Sequence, residues 1–328
     1  MSIVKSFAVG WGKVVKSPAV ICWVYLASVV LALPLALAMR AILKESIGAS
    51  LVQENLRQGF DLAWYGEFSA ATSGLGETFG PSVVGILPIL SNLEKLLEGN
   101  ILRTDATILL AGVLFLLAWA FFAGGILDRY ARPEEVQSRA RLFSQGAEYF
   151  FRFVRLLIIS LLLYWGIFRW VANPLHRWME QATRDVTVET TVMVWRLGVY
   201  AVAGFLLILA SMALDYAKIA MVVERRRSAS LAFLRGLRFV SAHPGKTFGL
   251  YLLLLAVGLV LLYGYSLVAP GPGQSSWATI LLAFLIGQAY LLARLVLKLW
   301  FLGSQTVLFQ SAQPLAWVTP EPAPSLEP

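Results

Sequence analysis

The sequence predicts an all-α integral membrane protein with six transmembrane helices. Of its 328 residues, 58% are apolar and only 14% are charged, against roughly 25% charged in an ordinary soluble domain. The mean hydropathy is +0.71, which is more apolar surface than a soluble chain of this size can bury. One Cys and two His exclude an internal disulfide framework and a metal site rich in those residues. We expect no cofactor.

Six segments are long and apolar enough to cross about 30 Å of hydrocarbon. They cover residues 19–39, 106–127, 153–172, 192–214, 247–268 and 277–297, within one membrane domain over residues 1–310. The outer loop, residues 40–105, is expected to lie over the bundle rather than to fold alone. Residues 311–328 form a Pro-rich tail, a composition typical of a disordered or partner-bound extension.

The distribution of basic residues predicts the orientation. One side of the membrane holds 18 Lys and Arg and the other holds 9, with net charges of +10 and −2. Basic loops stay in the cytoplasm, so we expect a bacterial inner-membrane protein with both termini cytoplasmic. Ala36-Leu37-Ala38 resembles a signal-peptidase site, but the apolar run before it is long for a signal peptide, so we favour an uncleaved helix.

A spaced pattern predicts three copies of one structural unit. Phe7, Gly10, Pro18, Tyr25 and Leu26 have the same spacing as Phe233, Gly236, Pro244, Tyr251 and Leu252. Phe143 and Gly146 repeat the first two positions before the third span, where Val154 replaces the proline. Each unit is interpreted as a cytoplasmic amphipathic helix followed by a helical hairpin of two spans. Chance among residues common in apolar helices is the alternative.

Two amphipathic helices are expected at the inner membrane surface. In the first, the apolar residues from Ile3 to Val15, with the exception of Val9, fall on an arc of about 140°, opposite the lysines. The second begins near Ser228 and follows a run of three arginines. The candidate patch for anionic lipid or an acidic partner comprises Lys5, Lys13, Lys16, Arg225, Arg226, Arg227, Arg235 and Arg238. A plain topology signal is the alternative explanation of these charges.

Ionisable groups near or within the spans are candidates for function. The candidate intramembrane polar contacts are Asp128, Asp215, Lys218, Gln288 and Arg294. The sequence places the charged members near the cytoplasmic ends of the spans, which favours anchoring and pairing between helices over a transport relay. Gln288 lies in the middle of the sixth span, where an amide more often bonds a neighbouring helix than a substrate.

Catalytic signals are weak. No Ser-His-Asp grouping, phosphate-binding loop or zinc-protease motif is present. His176 lies among Arg177 and Trp178 just beyond the third span, a context typical of the membrane interface, and His243 precedes Pro244 at a helix start. Cys22 lies at lipid depth, where a thiol is normally inert.

One family resemblance rests on degenerate motifs. Leu214-Asp215-Tyr216-Ala217-Lys218, followed by Val223-Glu224-Arg225-Arg226 and by Phe239, Pro244 and Tyr251, resembles uncharacterised six-span bacterial membrane proteins. These are similar to the membrane domain attached to some glycerophosphodiester phosphodiesterases. The resemblance covers most of residues 1–310. It implies a six-span fold but not the phosphodiesterase activity, because these residues contain no catalytic barrel.

Three functional classes follow. The sequence favours a non-enzymatic scaffold, assembly factor or accessory subunit, with anionic lipids of the bilayer and a membrane-complex protein as partners and no nucleic acid. The first alternative is a transporter or lipid-handling protein, whose distinguishing feature would be charges facing a central cavity. The second is a membrane-embedded lipid enzyme using His176 and carboxylates of the outer loop.

Overall fold

A computed structural model describes residues 1–48, 61–80, 106–135, 138–269 and 276–312. These residues contain helices and no strand, and six of the helical segments are long and apolar enough to span a membrane. This confirms the predicted helical, multi-pass character of the chain. The elements are α1 (Ile3–Val15), α2 (Pro18–Gly48), α3 (Leu62–Ala71), a 3-10 turn (Gly76–Thr78), α4 (Ala106–Ala131), α5 (Arg139–Ile167), a π turn (Phe168–Ala172), α6 (Asn173–Ala182), α7 (Glu189–Val223), α8 (Ala229–Ala242), α9 (Pro244–Val268) and α10 (Trp277–Ala312).

The helices extend beyond the predicted spans at several ends. α2 continues into the predicted outer loop as far as Gly48, and α10 passes the predicted tail boundary to end at Ala312. Hydropathy detects only the part of a helix that lipid surrounds, whereas α10 continues into the protein, where residues 302–309 are all buried. The described part of the outer loop holds α3, whose Trp64 and Phe68 pack with Phe79. Most of the rest of that loop and the tail from residue 313 lie outside the described residues.

Proline residues mark the points at which an amphipathic helix ends and a separate membrane-spanning helix begins. New helices begin at Pro18 and at Pro244, whereas α5 runs unbroken through Val154, which occupies the corresponding position. Proline lacks the backbone N–H of a continuing helix and its ring crowds the preceding turn. Pro174 is accommodated differently: it follows the π turn at the start of α6, a local rearrangement that absorbs a missing hydrogen bond.

The core lies at one end of the bundle, which we call the packed end. Residues 120–131 of α4, 210–223 of α7 and 299–309 of α10 converge there, and α1, the first part of α5 and α8 surround them. Tyr130, Tyr216 and Phe309 are among the largest fully buried side chains. Because α1 contacts α10, both ends of the described chain lie at the packed end.

Three glycines let the surrounding helices approach the converging ones. A Cβ on Gly10 would lie 2.6 Å from the backbone N of Ser304, and one on Gly236 would lie 2.6 Å from that of Ala217. A Cβ on Gly146 would lie 2.8 Å from the carbonyl oxygen of Phe121. Each glycine comes three residues after the phenylalanine of the predicted pattern, so the same pair of residues marks all three helix–helix contacts.

Long side chains cap the helix ends at the packed end. Lys13 donates to the carbonyl oxygen of Tyr130, and Gln310 donates to that of Ala131 at 2.8 Å. Arg132 donates to the carbonyl oxygen of Val222 at 3.0 Å. The last carbonyls of a helix have no partner within it, and they attract cations. These bonds therefore attach α1 and α10 to α4, and α4 to α7.

The opposite end of the bundle, which we call the open end, is loosely packed. It comprises the first halves of α4, α7 and α10 and the second halves of α2, α5 and α9. Val199 and Ala203 of α7 are buried there, but many of its large side chains are exposed: Leu110 is 61% exposed and Trp277 is 77% exposed. The most apolar stretch of α10 contains no buried residue, so lipid and not protein is the medium around this end.

Candidate functional site: a charged cavity between the spans

Four charged side chains meet in a cavity of about 310 Å³ between α4, α7, α9 and α10. It lies next to the packed end, where the converging helices begin to separate. Its lining comprises Trp119, Asp215, Lys218, Tyr251, Arg294, Leu297, Lys298, Phe301 and Leu302. The structure thus brings together Asp215, Lys218 and Arg294, three of the residues singled out in the sequence.

A second cavity of about 320 Å³ adjoins the first, and we call the two the charged cavity and the apolar cavity. Both are lined by Trp119, Asp215, Lys218 and Lys298. The remaining walls of the apolar cavity come from α4, α5 and α7. These are Leu116, Ala120, Ala123, Phe153, Leu156, Leu157, Ser160, Tyr164, Ser211 and Leu214.

The charges in the charged cavity do not balance. Lys218 Nζ donates to Asp215 Oδ1 at 2.9 Å, which pairs the one carboxylate of the lining. Lys298 instead places its ammonium 3.5 Å from the ring centroid of Trp119, and Arg294 lies 5.8 Å from that of Tyr290. Among the described residues, no carboxylate lies within 4.0 Å of either Arg294 or Lys298. The cavity therefore carries an excess of two positive charges.

The helix lengths explain why these charges lie inside the bundle. The sequence placed Asp215 just past the end of its span and Arg294 near the end of its span, but α7 continues to Val223 and α10 to Ala312. At 1.5 Å per residue, Lys298 lies about 20 Å before the end of α10. Arg294 and Lys298 are four residues apart, so they project from the same face of α10.

Lys298, Trp119 and Tyr251 were not among the site residues predicted from the sequence. Lys298 carried one usable signal, because it lies one helical turn after Arg294 in an otherwise apolar stretch. Trp119 and Tyr251 carried no such signal in the sequence, because Trp and Tyr recur throughout the spans. Only the packing of α4 and α9 against α10 shows that these rings face the charges.

Two further polar contacts join the spans. Tyr25 donates to Gln288 Oε1 at 2.6 Å, so this amide links α10 to α2. Tyr164 Oη and Ser211 Oγ share a hydrogen bond of 3.2 Å between α5 and α7, in the wall of the apolar cavity. In both contacts a polar group at membrane depth is satisfied by a neighbouring helix.

Asp128 belongs to a separate network at the packed end. It is 1% exposed, and its carboxylate pairs with Arg132 and with Arg141, whose Nη2 lies 2.7 Å from Asp128 Oδ2. Arg141 also pairs with Glu135. The network joins α4 to the start of α5 and lines neither cavity.

The eight residues of the candidate lipid patch have different surroundings. Lys5, Lys16, Arg225, Arg227 and Arg238 are exposed. Lys13 is half-buried in its contact with Tyr130, and burial lowers the pKa of its ammonium below the usual value. Arg226 and Arg235 both pair with Glu224. Binding of anionic headgroups by the exposed members stays a prediction.

The described residues offer no support for catalysis at His176. Its Nδ1 lies 2.9 Å from the carbonyl oxygen of Ala172 on the preceding turn, and its ring packs 5.6 Å from that of Tyr200. In the outer loop, Asp61 caps α3 through the N–H groups of Ala63 and Trp64. Within the described ranges, no group of three His, Cys, Asp or Glu could hold a metal ion.

Comparison with family models, curated proteins and solved structures finds no match for this chain. The resemblance to the membrane domain of glycerophosphodiester phosphodiesterases therefore stays an expectation from the sequence.

Proposed function

We propose that the protein binds an anionic group in the charged cavity and acts as a transporter or lipid-handling protein. One observation carries the proposal: Arg294 and Lys298 face a cavity within an apolar bundle, and no described carboxylate pairs with either. Charges facing a cavity are the feature expected to distinguish this class from a scaffold.

The free-energy cost of unpaired cations within the bundle favours an anionic ligand. An unpaired Lys or Arg at the centre of a membrane helix costs about 2.5–3.5 kcal/mol on insertion scales. The contact of Lys298 with Trp119 offsets about 0.5–2 kcal/mol of such a cost. A bound anion would offset the rest of this free-energy cost. It would also provide Arg294 with a negatively charged partner.

A scaffold or accessory subunit, the class favoured by the sequence alone, does not need this cavity. Such a protein requires an exposed surface for its partner, and the apolar surface of the open end is equally suited to lipid. A membrane-embedded enzyme would need acid–base groups converging on a substrate, whereas the charged cavity has one carboxylate, already paired with Lys218. The cavity therefore favours binding over both alternatives.

Native mass spectrometry tests the proposal. The protein is reconstituted in nanodiscs of phosphatidylcholine with a minor fraction of phosphatidylglycerol, and the retained lipids are identified. We expect the unsubstituted protein to retain the anionic lipid, and the double variant Arg294→Gln/Lys298→Gln to lose most of it. Arg155→Gln/Lys246→Gln removes two exposed charges outside both cavities and serves as the matched control. Equal retention by the two double variants would contradict the proposal.

The finer architecture supports a cyclic arrangement, which we also propose. The amphipathic helix of each predicted unit packs, through an equivalent glycine, on the outgoing span of the unit before it: Gly146 on α4, Gly236 on α7, and Gly10 on α10. The last contact joins the first unit to the third. Three units joined in this ring would surround the cavities with equivalent helices, as expected of a binding protein built from repeats.

We further propose that the packed end faces the cytoplasm of a bacterial inner membrane, on the basis of the excess of Lys and Arg on that side. Single cysteines at Ser73 and Ser228, in a Cys22→Ala background, test the orientation with an impermeant thiol reagent. Ser73 is preferred to Gly74, whose φ of 63° would strain any other residue. Labelling of Ser228→Cys in intact cells would contradict this orientation.

A further inference from the structure

The two cavities share Trp119, Asp215, Lys218 and Lys298 and differ in their remaining walls. The charged cavity presents Arg294 and Lys298, and the apolar cavity continues from Lys298 and Trp119 along aliphatic and aromatic walls. Trp119 lines both, with its ring against the ammonium of Lys298. A cationic end joined to an apolar end has the polarity of a binding site for an amphiphile.

Apart from the charged groups that it shares with the charged cavity, the polar side chains of the apolar cavity are already satisfied. Ser160 Oγ donates to the carbonyl oxygen of Leu157 on its own helix at 2.6 Å, and Tyr164 and Ser211 bond each other. A small hydrated ligand would find few free partners in this wall, since water needs two to four polar neighbours to be held. Hydrocarbon needs none, so a lipid chain can occupy this space without leaving a polar group unpaired.

The apolar cavity is accessible from the bundle surface. Leu116 lines it and is 38% exposed. On the adjoining face of α5, Leu161 and Leu162 are 54% and 64% exposed, which is typical of residues that face lipid. A chain from the bilayer could therefore enter between the separated parts of α4 and α5 without crossing the packed end.

We infer that the site takes an anionic amphiphile with one hydrocarbon chain, its phosphate or carboxylate at Arg294 and Lys298 and its chain in the apolar cavity. The inference rests on the proposed function and names the ligand class of the same site. A volume of about 320 Å³ is at the lower end of the roughly 300–1,000 Å³ found for ligand pockets. It suits one chain better than two.

Photolabelling with a twelve-carbon alkyl phosphate, carrying a diazirine at the chain end, tests the inference in nanodiscs. We expect labelled peptides to map to the walls formed by α4, α5 and α7, at residues such as Leu116 and Leu157. The corresponding alcohol lacks the phosphate and should label the lipid-facing surface instead. If the phosphate probe labels the unsubstituted protein evenly over α2 and α9, the inference is overturned, and no variant is needed for that result.

Two variants separate the chain from the headgroup. Ser160→Trp fills the apolar cavity and should reduce cavity labelling at least tenfold, whereas Leu161→Trp adds the same ring on the lipid-facing side and should leave it unchanged. Ser160→Phe replaces the first variant if it fails to fold. Cavity labelling that survives in both Ser160 variants but disappears in Arg294→Gln/Lys298→Gln overturns the chain site and leaves the proposed anion site standing. Labelling that survives in the double variant overturns both.

Discussion

The packed end and the open end are built largely from the same helices but hold together in different ways. At the packed end, glycine contacts, side-chain caps and a buried ion network fix each helix against its neighbours. At the open end the same helices expose Leu110, Trp277 and most of their large side chains. Lipid is as apolar as leucine, so apolarity alone does not drive helices together in a membrane. Small residues and buried polar groups therefore decide which end packs.

Removing the charge of Asp128 should have the largest effect on stability. Asp128→Asn leaves Arg132 and Arg141 without their shared carboxylate at a site that is 1% exposed. Breaking a buried pair costs about 3–5 kcal/mol. The difference in the free energy of unfolding is measured by titration with a denaturing detergent, with circular dichroism as the readout. Glu148→Gln breaks the more exposed pair with Arg152 and should cost less than about 1 kcal/mol; similar losses for the two variants would show that the network contributes little.

The glycine contacts should give the next largest effect. Leucine at Gly10, Gly146 or Gly236 forces the backbones of neighbouring helices apart, and overpacking of this kind costs about 1–3 kcal/mol. Gly198→Leu, on the part of α7 at the open end, is the matched control because nothing lies within 4 Å of an added Cβ. The same unfolding measurement applies. Similar losses for the three variants would show that close backbone contacts stabilise the packed end. An equal loss for Gly198→Leu would show that these contacts do not distinguish the two ends.

Lys13 should make the stability of the packed end depend on alkaline pH. Burial lowers the pKa of Lys13 in the folded protein below its unfolded value of 10.5. Between those two pKa values the unfolded chain binds more protons, so the free energy of unfolding should rise with pH. Unfolding of the unsubstituted protein and of Lys13→Met is compared from pH 7 to 10.5. The unsubstituted protein should gain stability relative to the variant as pH rises; a constant difference would contradict this.

The exposed Lys16 provides the control for that measurement. Lys16→Met removes the same charge from the residue that follows α1 but removes no contact to Tyr130. A pH-dependent difference as large for this variant as for Lys13→Met would assign the effect to overall charge and not to burial.

The smallest effect is expected for the hydrogen bond that joins two spans. Tyr25→Phe removes the donor to Gln288, and interhelical hydrogen bonds in membranes contribute about 0.6 kcal/mol on average. The same detergent titration should show a change of this size. A loss comparable with that of the glycine variants would mean that the spans depend on this bond as strongly as the packed end depends on its backbone contacts.

Much of the fold follows from the sequence, because apolar length and proline act locally. The six spans are visible as apolar runs, and the breaks at Pro18 and Pro244 follow from the missing N–H of proline. The helix ends were missed: α10 continues to Ala312 because its last turns are buried by protein, which local composition does not reveal.

The site was predictable only in part. Asp215, Lys218 and Arg294 stand out as charges near apolar runs, and their spacing suggests pairs. Their shared cavity depends on how far α7 and α10 extend and on which faces of α4 and α9 meet them. Those are tertiary properties, so the sequence pointed to anchoring at the membrane surface where the structure has a cavity.

The contact between the first and the last helix has a consequence for how the chain is made. The backbone oxygen of Phe7 accepts a hydrogen bond of 2.9 Å from Trp300 Nε1, across a separation of 293 residues. Ribosomes add about 5–20 residues per second, so α1 exists for roughly 15–60 s before its partner is synthesised. The glycine contacts of Gly146 and Gly236, in contrast, join helices adjacent along the chain and can form as soon as each pair emerges. During that interval the exposed Trp11 and Val15 give α1 an apolar face suited to resting in the membrane surface. The bilayer would thus hold the first helix until α10 arrives to complete the packed end.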